Sequence, residues 1–304
     1  MLARFRPLII AVTVASTLLA PLASAAVSKA VSASNKVENA KSLLWKIEKK
    51  GSPDSWLYGT AHVGDPRVTQ LSPKTEAAFA GSKKVVTEIR LDFGMMMEMG
   101  KRMLTPEPSL EQIIDKEHYQ KLLPALAARG YPEVATAKLR PWGAAMLLMT
   151  PVRQPGQMPL DLLFAKMAIE GQKDYSGLET LDEQLSIFES IPEAKQIELL
   201  YAVLDQQAEM EISYQKVLDL YLKQDINGLA EYAEQDDFKM PDQAWFRQWR
   251  AQLLEARNPR MAERLTDKLK EGNAFIAVGA LHLPGKTGLI QSLRQQGYRV
   301  SPVK

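Results

Sequence analysis

Two short apolar runs, at residues 43–49 and 55–58, flank Lys50-Gly51-Ser52-Pro53-Asp54, and this pattern of strand, turn formers and strand predicts a β-hairpin. Downstream, Ser72-Pro73-Lys74-Thr75-Glu76 combines an N-cap residue, a proline for the first helical position and an acidic first turn. A helix is predicted there, ending near Gly81. Residues 84–89 are rich in β-branched side chains and read as a strand that carries Glu88 near its end.

The long middle of the chain has a different period. From residue 109 to about residue 170 apolar positions recur at helical spacing, with breaks at Pro124, at Gly130-Tyr131-Pro132 and between Pro151 and Pro159. Pro159-Leu160-Asp161 opens the last of these helices and Gly171 stops it. Residues 173–178 then return as a strand leading into Glu179-Thr180, after which Glu183, Gln184, Leu185, Ile187 and Phe188 resume helical spacing. Amphipathic helices follow over 192–235, interrupted near Asp225-Ile226-Asn227-Gly228, and one more over 243–269 is irregular at Asn258-Pro259. Its stripe of Trp245, Phe246 and Trp249 suits an apolar helix face, and the methionines at 95, 96, 97, 99 and 103 suit adaptable packing. A strand at 275–278, a helix at 288–296 and a strand at 298–303 complete the chain. The fold class expected is α/β: a mixed, largely parallel central sheet flanked by helices over residues 43–304, with a large helical insertion in the middle of the chain, at about 95–170 and 192–270.

The N-terminus adds a compartment to this picture. Arg4 and Arg6 precede an uncharged apolar run from residue 8 to residue 22 and then Ala23-Ser24-Ala25-Ala26, the order of a cleaved secretory signal peptide over residues 1–25. Residues 26–42 read as a flexible lead-in. The apolar run is shorter than the ~20 residues of a spanning helix, and no later segment is apolar enough to span a membrane. With no cysteine for a lipid anchor or a disulfide, an exported protein of the bacterial periplasm is expected, or a secreted one. Removal of Arg4 and Arg6 takes the formal net charge from +2 to zero, which gives no general attraction to nucleic acid. Hydrophobic residues at 46% are enough for a sizeable core.

Candidate chemistry centres on two of the three histidines. Gly59-Thr60-Ala61-His62 and Gly279-Ala280-Leu281-His282 repeat one four-residue frame, and each closes an apolar run, Trp56-Leu57-Tyr58 or Phe275-Ile276-Ala277-Val278. Each imidazole is thereby expected just past a strand end, where the glycine permits a close backbone approach. A single histidine in such a place often only bonds a loop carbonyl; the matched pair favours a metal site or a general base. His118, in a charged helical stretch without the glycine frame, reads as a solvated surface residue. An HExxH helix, a GxSxG elbow and a cysteine nucleophile are all absent, and Gly285-Lys286-Thr287 lacks the first glycine of a phosphate-binding loop because position 280 is Ala.

Taken together, Leu44-Trp45-Lys46-Ile47, the Gly59 frame, the Glu88 strand, Gly177-Leu178-Glu179-Thr180 with Glu183-Gln184, Arg257-Asn258 with Met261-Ala262, and residues 277–285 resemble the TraB/GumN family over nearly the whole chain after its first 42 residues. The wider group includes the animal Tiki proteins, membrane-tethered metal-dependent proteases. The resemblance implies that His62, His282 and Glu88 are the metal and catalytic residues. If the strands before these residues share one sheet, His62, Glu88, Glu179 and His282 all fall at its carboxyl edge, where open α/β sheets bind ligands. Two imidazoles with one or two carboxylates suit a divalent ion, Zn²⁺, Mn²⁺, Co²⁺ or Fe²⁺, with a position left for water. Glu179 would then be a second carboxylate able to take a proton, or else would cap the following helix; Arg257 would clamp a carboxylate or stabilise an oxyanion, or lie on a helix surface; Glu88 has a possible partner in Arg90 on the same strand face. The reading that follows is a periplasmic metal-dependent hydrolase, a peptidase acting on a peptide or small-molecule substrate. Its alternative is a non-catalytic binding protein for a peptide or signal in the same cleft. N-terminal sequencing of the exported protein is expected to begin at Ala26 or Val27; an intact Met1 in a membrane fraction would point to an anchored protein instead.

Overall fold

A computed structural model describes residue 37 and residues 41–105, 107–152, 156–235 and 238–303. The expected signal segment, residues 1–25, lies outside the described residues. Within the stretch read as a lead-in, Val37 is buried and exchanges two hydrogen bonds with the Asn227 side chain, so this point is bonded to the domain.

Six strands among the described residues form one sheet: β1 (Leu44–Glu48), β2 (Ser55–Thr60), β3 (Lys84–Ile89), β4 (Asp174–Glu179), β5 (Ala274–Gly279) and β6 (Arg299–Pro302), in the order β4-β3-β5-β2-β1-β6. The predicted hairpin forms, with Leu44 opposite Tyr58 and Ile47 opposite Ser55. β2, β5, β3 and β4 run parallel, and β1 pairs antiparallel with both β2 and β6. This is the mixed, mostly parallel α/β sheet expected. Its central strands are buried along their length, as β5 shows at all six positions, because helices cover both faces.

Two apolar clusters result. One surrounds the sheet, where Tyr58, Phe79, Phe164 and Phe275 pack with ring centroids 5.1–6.0 Å apart. The other lies among helices and gathers Met99, Met103, Trp142, Phe188, Phe246 and Trp249. Met99 and Met103 thus act as packing residues, as their pattern predicted. Met95 and Leu181 touch both clusters.

Two sequence readings change. The helix expected over 243–269 is two helices, Gln243–Leu253 and Asn258–Leu269; Pro259 lies in the first turn of the second, where its missing N–H has no helical partner to lose. His118 is only partly exposed, because its ring stacks on Tyr201 at 3.7 Å between centroids and its Nδ1 lies 2.6 Å from Asp115 Oδ2.

β4 lies so close to the chain leaving β3 that a Cβ on Gly177 would sit 2.6 Å from the Arg90 backbone nitrogen. Gly177→Ala must therefore push β4 outward. Overpacking of this kind costs about 1–3 kcal/mol, and a lowered urea midpoint is the expected measurement.

Candidate functional site

All four parallel strands end on one edge of the sheet. Because β2 and β5 are neighbours in register, with Gly59 opposite Val278 and Thr60 opposite Gly279, the two histidine frames leave the sheet side by side. They touch: a Cβ on Gly59 would lie 3.1 Å from Ala280 Cα, so the glycine is what lets the second frame, a 3₁₀ turn over Ala280–His282, close over the first. Tyr221 Oη donates to the Gly59 carbonyl at 2.8 Å and fixes that turn from the helical side.

The two imidazoles are held alike through Nδ1. His62 Nδ1 lies 2.6 Å from Asp161 Oδ2, and His282 Nδ1 lies 2.6 Å from Asn258 Oδ1. His282 is fully buried, and its Nε2 has no hydrogen-bond partner; that nitrogen stands 3.7 Å from Glu88 Oε1. Burial lowers the His282 pKa to about 4 and keeps the ring neutral, Glu88 opposing the shift and Arg257 adding to it. Burial works the same way on His62, but the charge and hydrogen bond of Asp161 outweigh it, so the net shift there is upward.

Glu88, Glu179 and Arg257 form one buried cluster. Arg257 is 2% exposed and its guanidinium reaches across two strands, with Nη2 2.5 Å from Glu88 Oε2 and 2.6 Å from Glu179 Oε2, and Nε 2.9 Å from Glu179 Oε2. Its Nη1 donates to the Leu253 carbonyl at 2.9 Å, which closes the break between the two helices. Glu179 also accepts from Arg260 at 2.5 Å and from Gln184 at 3.1 Å. Glu88 Oε1 accepts the Gly279 N–H at 2.7 Å, so β3 is tied to the start of the second frame. Burial alone would raise the Glu88 pKa, yet Arg257, both histidines and that N–H together hold it well below the usual carboxylate range.

The four strand-end residues singled out from sequence therefore share one edge, with Arg257 beneath it. Arg257 is not a surface residue, and Glu88 does not pair with Arg90, which bonds Asp92 and the Tyr175 carbonyl instead. Nor does Glu179 cap the next helix: Thr180 does, in a capping box with Glu183. Residues that the sequence reading did not assign to the site are Asp161, Thr60, Asn258, Arg260 and Gln184. Thr60, Asn258 and Gln184 lie inside the motifs that carry the family resemblance, whereas Asp161 offers only an acidic first turn.

Among the described residues, no three or more His, Asp or Glu side chains come together in a group that could hold a metal ion as they stand. Two of the side chains nevertheless have the arrangement of metal-binding imidazoles. Two histidines with Nδ1 committed to oxygen, one of them with a buried, unpartnered Nε2 beside a carboxylate, are what a metal-ligating pair requires. Among the described residues no helix is long and apolar enough to cross a membrane.

The profile of the TraB/PrgY/gumN family matches residues 43–302. Metalloprotease TIKI1 of Danio rerio is 27% identical over 310 residues, covering 85% of this chain and 62% of that protein. The metalloprotease TIKI homolog of Nematostella vectensis is 24% identical over 326 residues, with 88% and 68% covered, and metalloprotease TIKI2 of Xenopus tropicalis 26% over 320 residues, with 86% and 60%. The chain spans less than two thirds of the length of the Danio rerio and Xenopus tropicalis proteins. No solved structure matches the chain.

Arg257→Met leaves two buried carboxylates without their shared cation, and breaking a buried pair in this way costs about 3–5 kcal/mol. The sign with pH follows from Glu88. Its folded pKa is depressed, so its contribution is present above the ordinary glutamate value of 4.5 and is lost as pH falls through the folded value. Urea unfolding should accordingly show the largest penalty for Arg257→Met near neutrality and a smaller one below pH 4.5.

Proposed function

The chain belongs to the TraB/PrgY/gumN family, and from that membership together with distant relatives named metalloprotease we propose that it is a metal-dependent hydrolase of peptide bonds. The observation that carries this reading is the buried Nε2 of His282, unpartnered beside Glu88 while Nδ1 is committed to Asn258. An imidazole in that state is a ligand awaiting a cation or a donor.

His62 and His282 would hold the ion, with Glu88 as third ligand through Oε1, the oxygen that faces His282. A divalent ion bound there would supply an activated water and polarise the substrate carbonyl. Arg257 keeps Glu88 aimed at the strand edge from behind through Oε2, and the Gly279 N–H fixes the other oxygen. Glu179 accepts from Arg257, Arg260 and Gln184 at once, so we assign it as the counter-ion that seats Arg257, not as the proton acceptor that its position first suggested. Three of the Arg257 nitrogens are likewise engaged, which makes it a positioning residue for Glu88 more than an oxyanion donor. The sequence of residues 1–25 supports a periplasmic or secreted setting for the reaction.

Elemental mass spectrometry of protein purified without exposure to an affinity-resin metal is the test of the ion. One equivalent of a divalent metal is expected in the parent. His62→Ala and His282→Ala should each weaken it by more than about 100-fold, since even outer-shell partners contribute 10–100-fold. Glu88→Gln separates two roles: loss of the ion marks a ligand, and a retained ion with lost turnover of a peptide pool marks a base. A parent that holds no ion under any loading condition, and binds peptides without cleaving them, would replace this reading with that of a binding protein.

A further inference from the structure

Asp161 sits in the first turn of the helix Leu160–Glu170, 99 residues from His62 in sequence, and is 5% exposed. Both of its oxygens are engaged. Oδ1 accepts from the Thr60 hydroxyl at 2.6 Å and Oδ2 lies 2.6 Å from His62 Nδ1, so a single carboxylate bridges the last residue of β2 and the histidine two positions on. The backbone around it is braced as well: the Leu160 N–H donates to the Val63 carbonyl at 3.2 Å, and Gly64 packs so closely on Gln157 that a Cβ there would lie 2.9 Å from Gln157 Cβ.

We propose that Asp161 is the positioning residue of His62, fixing the ring in the tautomer that carries its proton on Nδ1 and so presenting the Nε2 lone pair to a divalent cation. The proposal rests on the metal-site reading above but is carried by a different observation. A carboxylate can only accept, so the short contact with Nδ1 requires a donor on the ring. His282 is held differently, by the neutral side-chain amide of Asn258, which has a donor and an acceptor to offer. The two matched frames thus place two histidines alike while fixing their protons by different chemistry. Only the His62 side is enforced by a group with no donor of its own.

The test uses the full mature protein in its metal-free form. With three histidines in the chain, ¹⁵N signals of the rings are assignable by comparison with His62→Ala, His118→Ala and His282→Ala, at a pH where all are neutral. In the parent, His62 should show the Nδ1–H pattern. In Asp161→Asn the amide oxygen can stay on the Thr60 hydroxyl, which turns the NH₂ toward Nδ1 and moves the ring proton to Nε2. The expected signature is therefore a switched tautomer together with a 10–100-fold loss of affinity for Zn²⁺ and Mn²⁺ as probe ions in calorimetry, with the unfolding midpoint little changed. Thr60→Val is the control for a merely structural role: it removes the other anchor of Asp161 and should lower stability while the Nδ1–H tautomer persists. An Nε2–H ring in the parent would overturn the proposal without any Asp161 variant. So would an Asp161→Leu protein, in which no side chain at 161 can accept from Nδ1, that keeps both the parental tautomer and the parental affinity. Should the parent bind neither ion, the metal reading fails, while the tautomer of the metal-free protein still decides the role of Asp161.

Discussion

The site depends on one buried guanidinium. Arg257 cannot lose its charge, and removing it from water is tolerable only because β3 and β4, adjacent and parallel, each deliver a carboxylate at the same sheet edge. A buried ion pair of this kind adds little net stability over an apolar substitute; what it does supply is placement. Arg257 is the residue just before the helix Asn258–Leu269, so anchoring it sets where Asn258 begins that helix, and Asn258 in turn fixes the His282 ring. From the strand register to the imidazole, every step is a contact of specified geometry.

The second constraint is backbone proximity. β2 and β5 are far apart in sequence but adjacent in the sheet, and their parallel pairing carries Thr60 and Gly279 to the same level. Any side chain at Gly59 would separate the frames, since the second closes directly over the first. Glu88 completes the join from the other side of β5 by accepting the Gly279 N–H. The strand order β4-β3-β5-β2 therefore puts the second frame between the first frame and the strand that carries Glu88.

Local pattern makes the strands legible, because alternation, β-branching and turn residues act within a few positions: 84–89 matches β3, and the hairpin forms with its strands within two residues of the expected bounds. The histidine frames were legible for the same reason, each being a strand end marked by glycine. What stayed hidden was pairing. Nothing near Asp161 announces that its helix will pack on the loop after β2, and nothing near Glu179 shows that three basic or amide side chains will saturate it. Arg257 follows an amphipathic helix and precedes Asn258-Pro259, so its burial comes from the break between two helices and not from any periodicity. These are properties of the sheet order, in which β5, formed nearly 190 positions after β3 in sequence, inserts between β2 and β3.

The helical layer reaches the same edge through short, defined links. Trp249 donates through its indole N–H to the Ile187 carbonyl, joining the helix Gln243–Leu253 to the helix Leu181–Glu189, and Gln184 on the latter donates to Glu179. Leu181, at the start of that helix, packs against both apolar clusters. A shift of the second cluster relative to the sheet would therefore act first on Gln184 and Glu179, and through Arg257 on Glu88. The histidines themselves are held from elsewhere, His62 by the helix Leu160–Glu170 and His282 by the helix Asn258–Leu269. The carboxylate side of the site is thus coupled to the helical layer more directly than the His62 side is, and substitutions at Trp249 or Gln184 would be felt at Glu88 before they are felt at His62.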